Sequence, residues 1–376
     1  MAVQKIGVEQ FVKLSTQYPV IDVRSDGEYT HAHIPGAYSL PLFDNEERKV
    51  VGTIYKQQSR EQAIKKGLEY FGPKMKDMIV FVEKNIAKHY PENKTVLVHC
   101  WRGGMRSAGV AWLLDLYGFK VYTLAGGYKT FRNWVLGQFE KPWKINIVGG
   151  YTGSGKTILL EALKTKGETI VDLEGIAGHR GSAFGRIGLP EQPSVEMFEN
   201  KLALELSKLE IEKTDKPIWI EDESQRIGSV SIPHMLWNTM RNSIVYFLNI
   251  PFSERLDYLV DTYGKMDKEE LYAATERIQK KLGGLETKIA LQHLENNNIA
   301  GCFDILLKYY DKLYLKSLNS RIHNLYQHLI SKDDIEKQNE HLFKEYKNLY
   351  IKEIAAEIVE SDINSEKLKE AHYGKN

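Results

Sequence analysis

The chain has little cysteine and no excess of charge of either sign. Only two cysteines, Cys100 and Cys302, occur in 376 residues, which excludes a disulfide framework and fits a reducing compartment. Lys plus Arg number 51 and Asp plus Glu number 50, so the composition does not indicate a nucleic-acid-binding protein, and any basic surface must come from local clusters. The chain has neither a secretory leader nor a run of roughly 18 apolar residues. We therefore expect a soluble, cytoplasmic protein without a membrane partner.

Three regions differ in their pattern of apolar residues. Short β-rich runs alternate with helical ones in the first two regions, which is typical of α/β domains. The strand candidates are residues 19–23, 95–100 and 120–124, then 144–150, 216–222 and 243–250. From Pro251 onward the strand signals disappear and helical periodicity dominates. The sequence thus predicts an α/β protein with an N-terminal domain at 1–142, a central domain at 143–250 and a helical C-terminal region at 251–376.

One loop between a predicted strand and a predicted helix combines a cysteine with glycines and arginines, in H99-C-W-R-G-G-M-R-S107. Unpaired N–H groups at a helix start attract anions, glycines let the backbone approach a ligand, and arginines supply forked donors. These features predict a reactive, accessible thiolate in an anion-binding loop. The residues concerned are Cys100, Arg102, Gly103, Gly104, Arg106 and Ser107. Cys302, within apolar AGCFDILL, is expected in the core.

Two families share this arrangement. H-C-x5-R-S is the signature of cysteine-dependent phosphatases, whose thiolate takes a phosphoryl group, whereas the thiolate of rhodaneses takes a sulfane sulfur. The upstream stretch VIDVRSDGEYTHAHIPGA (20–37) and the downstream LAGGYKTFRNW (124–134) resemble the rhodanese family. We also find no candidate for the general acid that a phosphatase needs. The N-terminal domain is therefore predicted to be rhodanese-like, with structural roles for Asp22, Arg24, His33 and His99.

The segment G150-Y-T-G-S-G-K-T157 matches the P-loop pattern directly after a strand candidate and before a helical run. Its backbone N–H groups are expected to surround a phosphate, Lys156 to neutralise charge, and Thr157 to hold Mg²⁺ if the ion binds. The other predicted phosphate-binding residues are Gly150, Gly153, Ser154 and Gly155. No motif identifies a nucleotide base, so a nucleotide and the diphosphate of another donor both remain open.

Two further stretches belong with the P-loop. A strand candidate ends in Glu221 and Asp222, where a Walker B carboxylate is expected. The glycine-rich segment 173–185 carries His179 and Arg180 and is predicted to close over a ligand. No metal site is certain from the sequence, and an ordinary strand cap and a glycine-rich turn are the structural alternatives.

A rhodanese-like domain followed by a P-loop domain resembles the tRNA 2-selenouridine synthase family. The resemblance is carried by the motifs above, by VGTIYKQQSREQAIKKG (51–67) and by IEDESQRIG (220–228). It implies a transferase that acts on wobble 2-thiouridine of tRNA. The sulfur is first alkylated with geranyl diphosphate, and selenium from selenophosphate then replaces the S-geranyl group. The family's required cysteine corresponds to Cys100, and its P-loop to Gly150–Thr157.

The resemblance also implies the partners. These are tRNA, geranyl diphosphate and an enzyme that supplies selenophosphate, with no tightly bound organic cofactor. Two roles for Cys100 stay open: it carries selenium as a perselenide, or it activates bound selenophosphate. Residues 306–315 are a candidate wall for the geranyl chain, with helix packing as the alternative. The competing hypothesis for the whole chain is a rhodanese-type sulfurtransferase with a regulatory NTPase domain.

Overall fold

The computed structural model describes residues 3–86, 88, 94–182, 184–212, 216–321, 326–328, 355 and 358. In chain order the elements of the first part are β1 (Gln4–Ile6), α1 (Val8–Ser15), β2 (Val20–Asp22), α2 (Asp26–His31), β3 (Tyr38–Ser39), α3 (Asn45–Gln57), α4 (Arg60–Asn85), β4 (Thr95–His99), α5 (Met105–Leu116), β5 (Lys120–Leu124) and α6 (Gly127–Gln138).

The elements that follow are β6 (Ile145–Gly150), α7 (Lys156–Thr165), β7 (Ile170–Val171), α8 (Leu173–Ala177), α9 (Val195–Glu212), β8 (Ile218–Glu221), β9 (Arg226–Ile227), β10 (Val230–Ser231), α10 (His234–Arg241), β11 (Ile244–Leu248), α11 (Phe252–Tyr263), α12 (Lys268–Arg277), α13 (Gln279–Leu282), α14 (Gly284–Glu295), α15 (Ile299–Asn319) and β12 (Tyr326–His328). Among the residues described, no helix has the length and apolar character that crossing a membrane requires.

The chain divides into two compact units. The first unit comprises residues 1–140 and 194–212, and the second comprises 141–193 and 213–376. Helix α9 therefore belongs to the first unit, where it packs on α6, although it lies between two strands of the second unit in sequence. The sequence placed this amphipathic helix inside the central domain, because periodicity shows that a helix has a buried face and does not show what covers it.

The first unit contains a parallel sheet of order β1-β5-β4-β2-β3. Every residue of the central strand β4 is buried, as expected where helices cover both faces of a parallel sheet. The three strands predicted for this region are confirmed as β2, β4 and β5. Because β4 lies in the centre, the loop that follows it begins at the carboxyl edge of the sheet.

The second unit contains another parallel sheet, of order β12-β11-β6-β8-β7, beside a small antiparallel β9-β10 hairpin. The predicted strands are confirmed as β6, β8 and β11. One expectation is corrected: β12 lies in the region predicted to be helical and pairs in parallel with β11. A strand of three residues is too short to show the alternation of apolar and polar residues by which strands are recognised in a sequence.

The C-terminal helices form their own apolar cluster. Buried residues of α11, α12, α14 and α15 pack together there, and Cys302 is 1% exposed among them, which confirms the expected core position of this cysteine. Burial also raises the pKa of the Cys302 thiol to about 11.

A second difference from the sequence concerns segment 173–185, whose first five residues form the short helix α8.

Candidate functional site

Cys100 follows the last residue of β4, and α5 begins five residues later at Met105. The loop between them is closely packed around Gly103, which has a φ of +60°. A Cβ atom at this position would lie 2.4 Å from the carbonyl oxygen of Leu124. Only glycine fits both the backbone conformation and the space, so the loop holds one shape at the start of α5.

The Cys100 thiol lies at the base of this loop. Its Sγ is 3.3 Å from the Ser107 hydroxyl, which also donates to the Gly104 carbonyl at 3.0 Å. Cys100 is only 3% exposed, so the thiol is less accessible than the sequence predicts. It faces a buried hydroxyl at the amino end of a helix, where the helix dipole stabilises negative charge.

The two arginines of the loop differ in their surroundings. Arg102 is exposed, whereas Arg106 donates to the Glu28 carboxylate at 2.9 Å. Glu28 also pairs with Arg48 at 2.9 Å. Burial raises the pKa of Glu28, but the hydrogen bonds and charges of its partners outweigh burial and hold that pKa below its usual value. Arg106 therefore links the loop to α2 through an ionised carboxylate.

A polar cleft of about 400 Å³ opens beside the loop within the first unit. Trp101, which follows the cysteine, contributes to its wall and is 37% exposed. Arg48 and Glu196 lie on other walls. An exposed indole next to cationic and hydrogen-bonding groups is suited to a planar, polar ligand such as a base.

Asp22 and Arg24 form a buried ion pair, as the sequence predicts. Arg24 Nη2 donates to Asp22 Oδ2 at 2.6 Å and to the Ala32 carbonyl at 2.7 Å, and both side chains are at most 1% exposed. His99 is fully buried, and burial lowers its pKa to about 4. This neutral, enclosed imidazole fits the expected structural role.

The P-loop joins β6 to α7. Gly150, Gly153 and Gly155 have φ values of +148°, +80° and +88°, a backbone that curls before the first turn of α7. Lys156 Nζ donates to the Gly150 carbonyl at 3.0 Å, so its charge lies across the loop. Ser154 is buried, and Thr157 is exposed on the first turn. These positions match the predicted phosphate-binding arrangement.

Asp222 does not face the loop with a free carboxylate. Its Oδ2 accepts from the Tyr314 hydroxyl at 2.8 Å, and its Oδ1 pairs with Arg321. The Tyr314 oxygen in turn accepts from the Gly150 N–H at 3.0 Å. Asp222 thus connects the P-loop to α15, whereas Glu221 keeps its Oε2 without a hydrogen-bond partner among the residues that the structure describes.

Three carboxyl groups lie close together near the P-loop: Glu221 is buried, whereas Glu174 and Glu223 are half-buried. Glu221 Oε1 accepts from the backbone N–H of Glu174 at 2.8 Å, and the side chains of Glu174 and Glu223 are hydrogen-bonded to each other. Burial raises the pKa of Glu221 to about 8 and raises those of Glu174 and Glu223, against the charge of Lys156 in the last two cases. Glu221 therefore holds a proton near neutral pH.

Segment 173–185, predicted to close over a ligand, lies beside the carboxyl groups near the P-loop. Gly181, with a φ of +65°, lies against the carboxyl pair, since a Cβ there would approach Glu223 Oε1 to 2.6 Å. The charge of Arg180 acts on Glu174. His179 is buried beside Gly228, and burial lowers its pKa. Arg180 thus faces the P-loop site, whereas His179 packs inside the unit.

The side chains near the P-loop supply only some of the ligands that Mg²⁺ needs. Glu221 Oε2 is buried and lacks a hydrogen-bond partner among the residues described, and a hydroxyl such as that of Thr157 is an ordinary second ligand. Within the described part of the chain, however, no group of three or more acidic, histidine or cysteine side chains is arranged to hold a metal ion. Glu221 and Thr157 are the residues that would hold Mg²⁺, which supplies charge neutralisation to a bound phosphate.

The sequence did not single out the α15 and α11 residues at the P-loop. Arg255, 3% exposed, donates to the Thr152 carbonyl at 3.2 Å and pairs with Asp311 at 2.6 Å. Glu174 and Glu223 were likewise missed as a pair, though both lie in quoted motifs. Their proximity depends on the packing of α8 against β8, which sequence spacing does not reveal.

Comparison with known proteins agrees with both halves of the chain. A rhodanese-like domain model matches residues 8–133, and a model described as the tRNA 2-selenouridine synthase AAA domain matches residues 143–349. A tRNA 2-selenouridine synthase of Nitrosomonas europaea is 33% identical over 84% of this chain and 93% of its own length. One of Bdellovibrio bacteriovorus is 35% identical over 85% of this chain and 94% of its own. The chain belongs to the tRNA 2-selenouridine synthase family.

Proposed function

We propose that this chain is a transferase that converts wobble 2-thiouridine of tRNA to 2-selenouridine in two steps. Geranyl diphosphate first alkylates the sulfur, and selenium from selenophosphate then replaces the S-geranyl group. A thiocarbonyl sulfur is a poor leaving group, whereas an alkylated sulfur departs readily as a thiolate. Membership of the family and the presence of two separate anion-binding loops support this assignment.

The first step is assigned to the P-loop. The uridine sulfur attacks the allylic carbon, the carbon–oxygen bond breaks, and diphosphate leaves with the electron pair while the base loses its N3 proton. The developing negative charge needs stabilisation in a preorganised site. Lys156 and the N–H groups at the start of α7 supply it. No base-recognition motif is required, because the donor is not a nucleotide.

One observation carries the assignment of a prenyl donor. The P-loop residue Thr152 also lines a narrow cleft whose other walls are mainly apolar. Leu306, Leu307 and Tyr310 of that cleft belong to the stretch that the sequence suggested as a wall for the geranyl chain. The cleft has a volume of only about 10 Å³, so an aliphatic tail enters it only if the apolar side chains that line it move apart. A ligand with a diphosphate head and an aliphatic tail matches the order of these surfaces, a phosphate loop followed by apolar side chains.

The second step is assigned to the Cys100 loop. Selenophosphate is a tetrahedral anion, and the amino end of α5 together with the exposed Arg102 favours such a ligand. The polar cleft beside Trp101 is the proposed place for the modified base. The alternative of a sulfurtransferase with a regulatory NTPase predicts polar contacts for a nucleoside beside the P-loop, and the apolar cleft argues against it.

Two substitutions test the proposal in cells. Cys100→Ser and Lys156→Ala should each abolish 2-selenouridine in digested tRNA weighed by mass spectrometry. S-geranyl-2-thiouridine should persist in Cys100→Ser, since alkylation needs only the P-loop, and should be absent in Lys156→Ala.

Matched controls are Cys302→Ser, in the buried cysteine of α15, and Lys164→Ala, in an exposed lysine at the end of α7. Both should keep wild-type levels of 2-selenouridine. Unchanged 2-selenouridine in the two site variants would refute the assignment. Nucleotide hydrolysis that geranyl diphosphate does not affect would favour the sulfurtransferase alternative.

A further inference from the structure

Selenophosphate contains selenium at the oxidation level of selenide. Storing that selenium on a cysteine as a perselenide would oxidise it, and no oxidant is present in the proposed reaction. Breaking the phosphorus–selenium bond by transfer of the phosphoryl group needs no redox partner. The balance of electrons therefore favours attack by a nucleophile on phosphorus.

The Cys100 loop has the groups for that attack. Its spacing, Cys100 to Arg106 followed by Ser107, is the phosphatase pattern, carried here on a rhodanese-like domain. The structure places the Ser107 hydroxyl 3.3 Å from Sγ, in a loop fixed by Gly103 at the amino end of α5. When the thiol ionises, the single hydroxyl proton of Ser107 turns from the Gly104 carbonyl to Sγ and stabilises a thiolate that attacks and later leaves.

The sequence shows no evident general acid, which argued against hydrolysis of a phosphate ester. Cleavage of the phosphorus–selenium bond does not need such an acid. An alkoxide leaving group needs a proton in the transition state. The hydroselenide anion, HSe⁻, is a far weaker base than an alkoxide and departs without taking up a proton. Glu28, the carboxylate nearest to Arg106, is held ionised by its arginines and is no acid near neutral pH.

We propose that Cys100 attacks the phosphorus of selenophosphate and forms S-phosphocysteine, a step that rests on the proposed function. The sulfur–phosphorus bond forms as the phosphorus–selenium bond breaks, and selenium leaves with the electron pair as the hydroselenide anion, HSe⁻. Selenide then bonds to C2 of the S-geranylated uridine and displaces geranylthiolate. Water hydrolyses S-phosphocysteine to phosphate and the free thiol, which restores the enzyme.

The test mixes the full-length protein, selenophosphate and an anticodon stem-loop RNA that already contains S-geranyl-2-thiouridine. After an acid quench, intact-mass spectrometry should find one phosphoryl group, and peptide mapping should place it on Cys100. Ser107→Ala should keep the adduct at least about tenfold longer, because the thiolate loses the hydrogen bond that helps it leave. Ser39→Ala, two strands from β4 in the sheet, is the matched control and should behave like wild type.

A second measurement does not depend on trapping. Hydrogen selenide supplied directly should restore 2-selenouridine formation by Cys100→Ser above the rate without enzyme. A cysteine that gains selenium but no phosphoryl group, the absence of any phosphoryl adduct in Ser107→Ala, or a failure of selenide to rescue would overturn the proposal. If wild-type protein forms no 2-selenouridine from this RNA, the proposed function itself fails.

Discussion

Among individual residues, the carboxyl groups near the P-loop are the least ordinary feature of the second unit. Glu221 is buried, and the half-buried Glu174 and Glu223 are hydrogen-bonded to each other within electrostatic reach of Lys156. Three ionised carboxylates would repel one another and an incoming diphosphate in a medium of low polarity. Burial raises the pKa of all three groups, and that of Glu221 to about 8, which reduces this repulsion and leaves the charge of Lys156 available to an anionic ligand.

The pH dependence of stability should report this cluster. Burial raises the pKa of Glu221 from 4.5 to about 8, so the folded protein binds more protons than the unfolded chain between these values. Stability should therefore decrease as the pH rises from 4.5 to 8. Glu221→Gln keeps the acceptor for the Glu174 N–H and should flatten this decrease in thermal unfolding midpoints measured over the pH series.

Glu161→Gln is the matched control, because Glu161 is exposed on α7. It should leave the slope of midpoint against pH unchanged. An equal slope in wild type and Glu221→Gln would show that Glu221 ionises normally in the folded protein.

At the scale of elements, the side chains that α11 and α15 place in and beside the cleft change from charged to aliphatic to aromatic with distance from the P-loop. Arg255 pairs with Asp311 beside Thr152, and one turn further along each helix Leu259 and Leu307 line the cleft. Another turn brings Tyr263 and Phe303 into a stacked contact, with ring centroids 5.5 Å apart. Eight residues of helix separate the first level from the third, about 12 Å. Phe184 packs on both rings and completes the aromatic floor of the cleft.

This floor should limit the length of the prenyl chain. Wild-type protein offered geranyl and farnesyl diphosphate together should alkylate 2-thiouridine RNA mainly with geranyl. Phe303→Leu removes part of the floor and should raise the ratio of farnesyl to geranyl product about tenfold or more. The ratio is measured by mass spectrometry of digested RNA.

Leu307→Phe should act in the opposite direction, lowering geranyl transfer while dimethylallyl transfer continues. Leu294→Val, buried in the same apolar cluster but outside the cleft, is the matched control and should not change the ratio. Equal use of geranyl and farnesyl diphosphate by the wild type would contradict a closed floor.

The same elements show what the sequence can predict. Motif residues that are close in sequence, such as the P-loop and the loop of Cys100, were located correctly because strand, loop and helix follow one another there. Contacts between residues that are far apart in the sequence were not predicted. Tyr314 lies 164 residues from Gly150, and a tyrosine in a helical pattern gives no sign that its hydroxyl holds a P-loop amide.

At the scale of the whole molecule, the chain leaves the second unit after Pro193, beyond α8, contributes α9 to the first unit and returns to the second unit before β8. Asn200 of α9 explains why this helix is fixed there. Its side-chain amide donates to the His33 carbonyl at 2.9 Å and to the Tyr128 hydroxyl at 2.8 Å, and its oxygen accepts from Arg132 at 2.5 Å. The hydrogen bonds of this fully buried amide thus specify the position of the helix. The spacing of apolar residues in the sequence does not contain this information.

Asn200→Ala should therefore destabilise the first unit by about 1–3 kcal/mol, because buried polar partners lose their hydrogen bonds. Hydrogen exchange measured by mass spectrometry should become faster in β2, β4 and α6. Exchange in β6, β8 and β11 should stay at the wild-type rate, although α9 lies between β7 and β8 in the chain. Glu205→Ala removes a partly exposed side chain that pairs only locally, with Lys208 on the same helix, and should change neither set. Faster exchange confined to β6, β8 and β11 would instead assign α9 to the second unit.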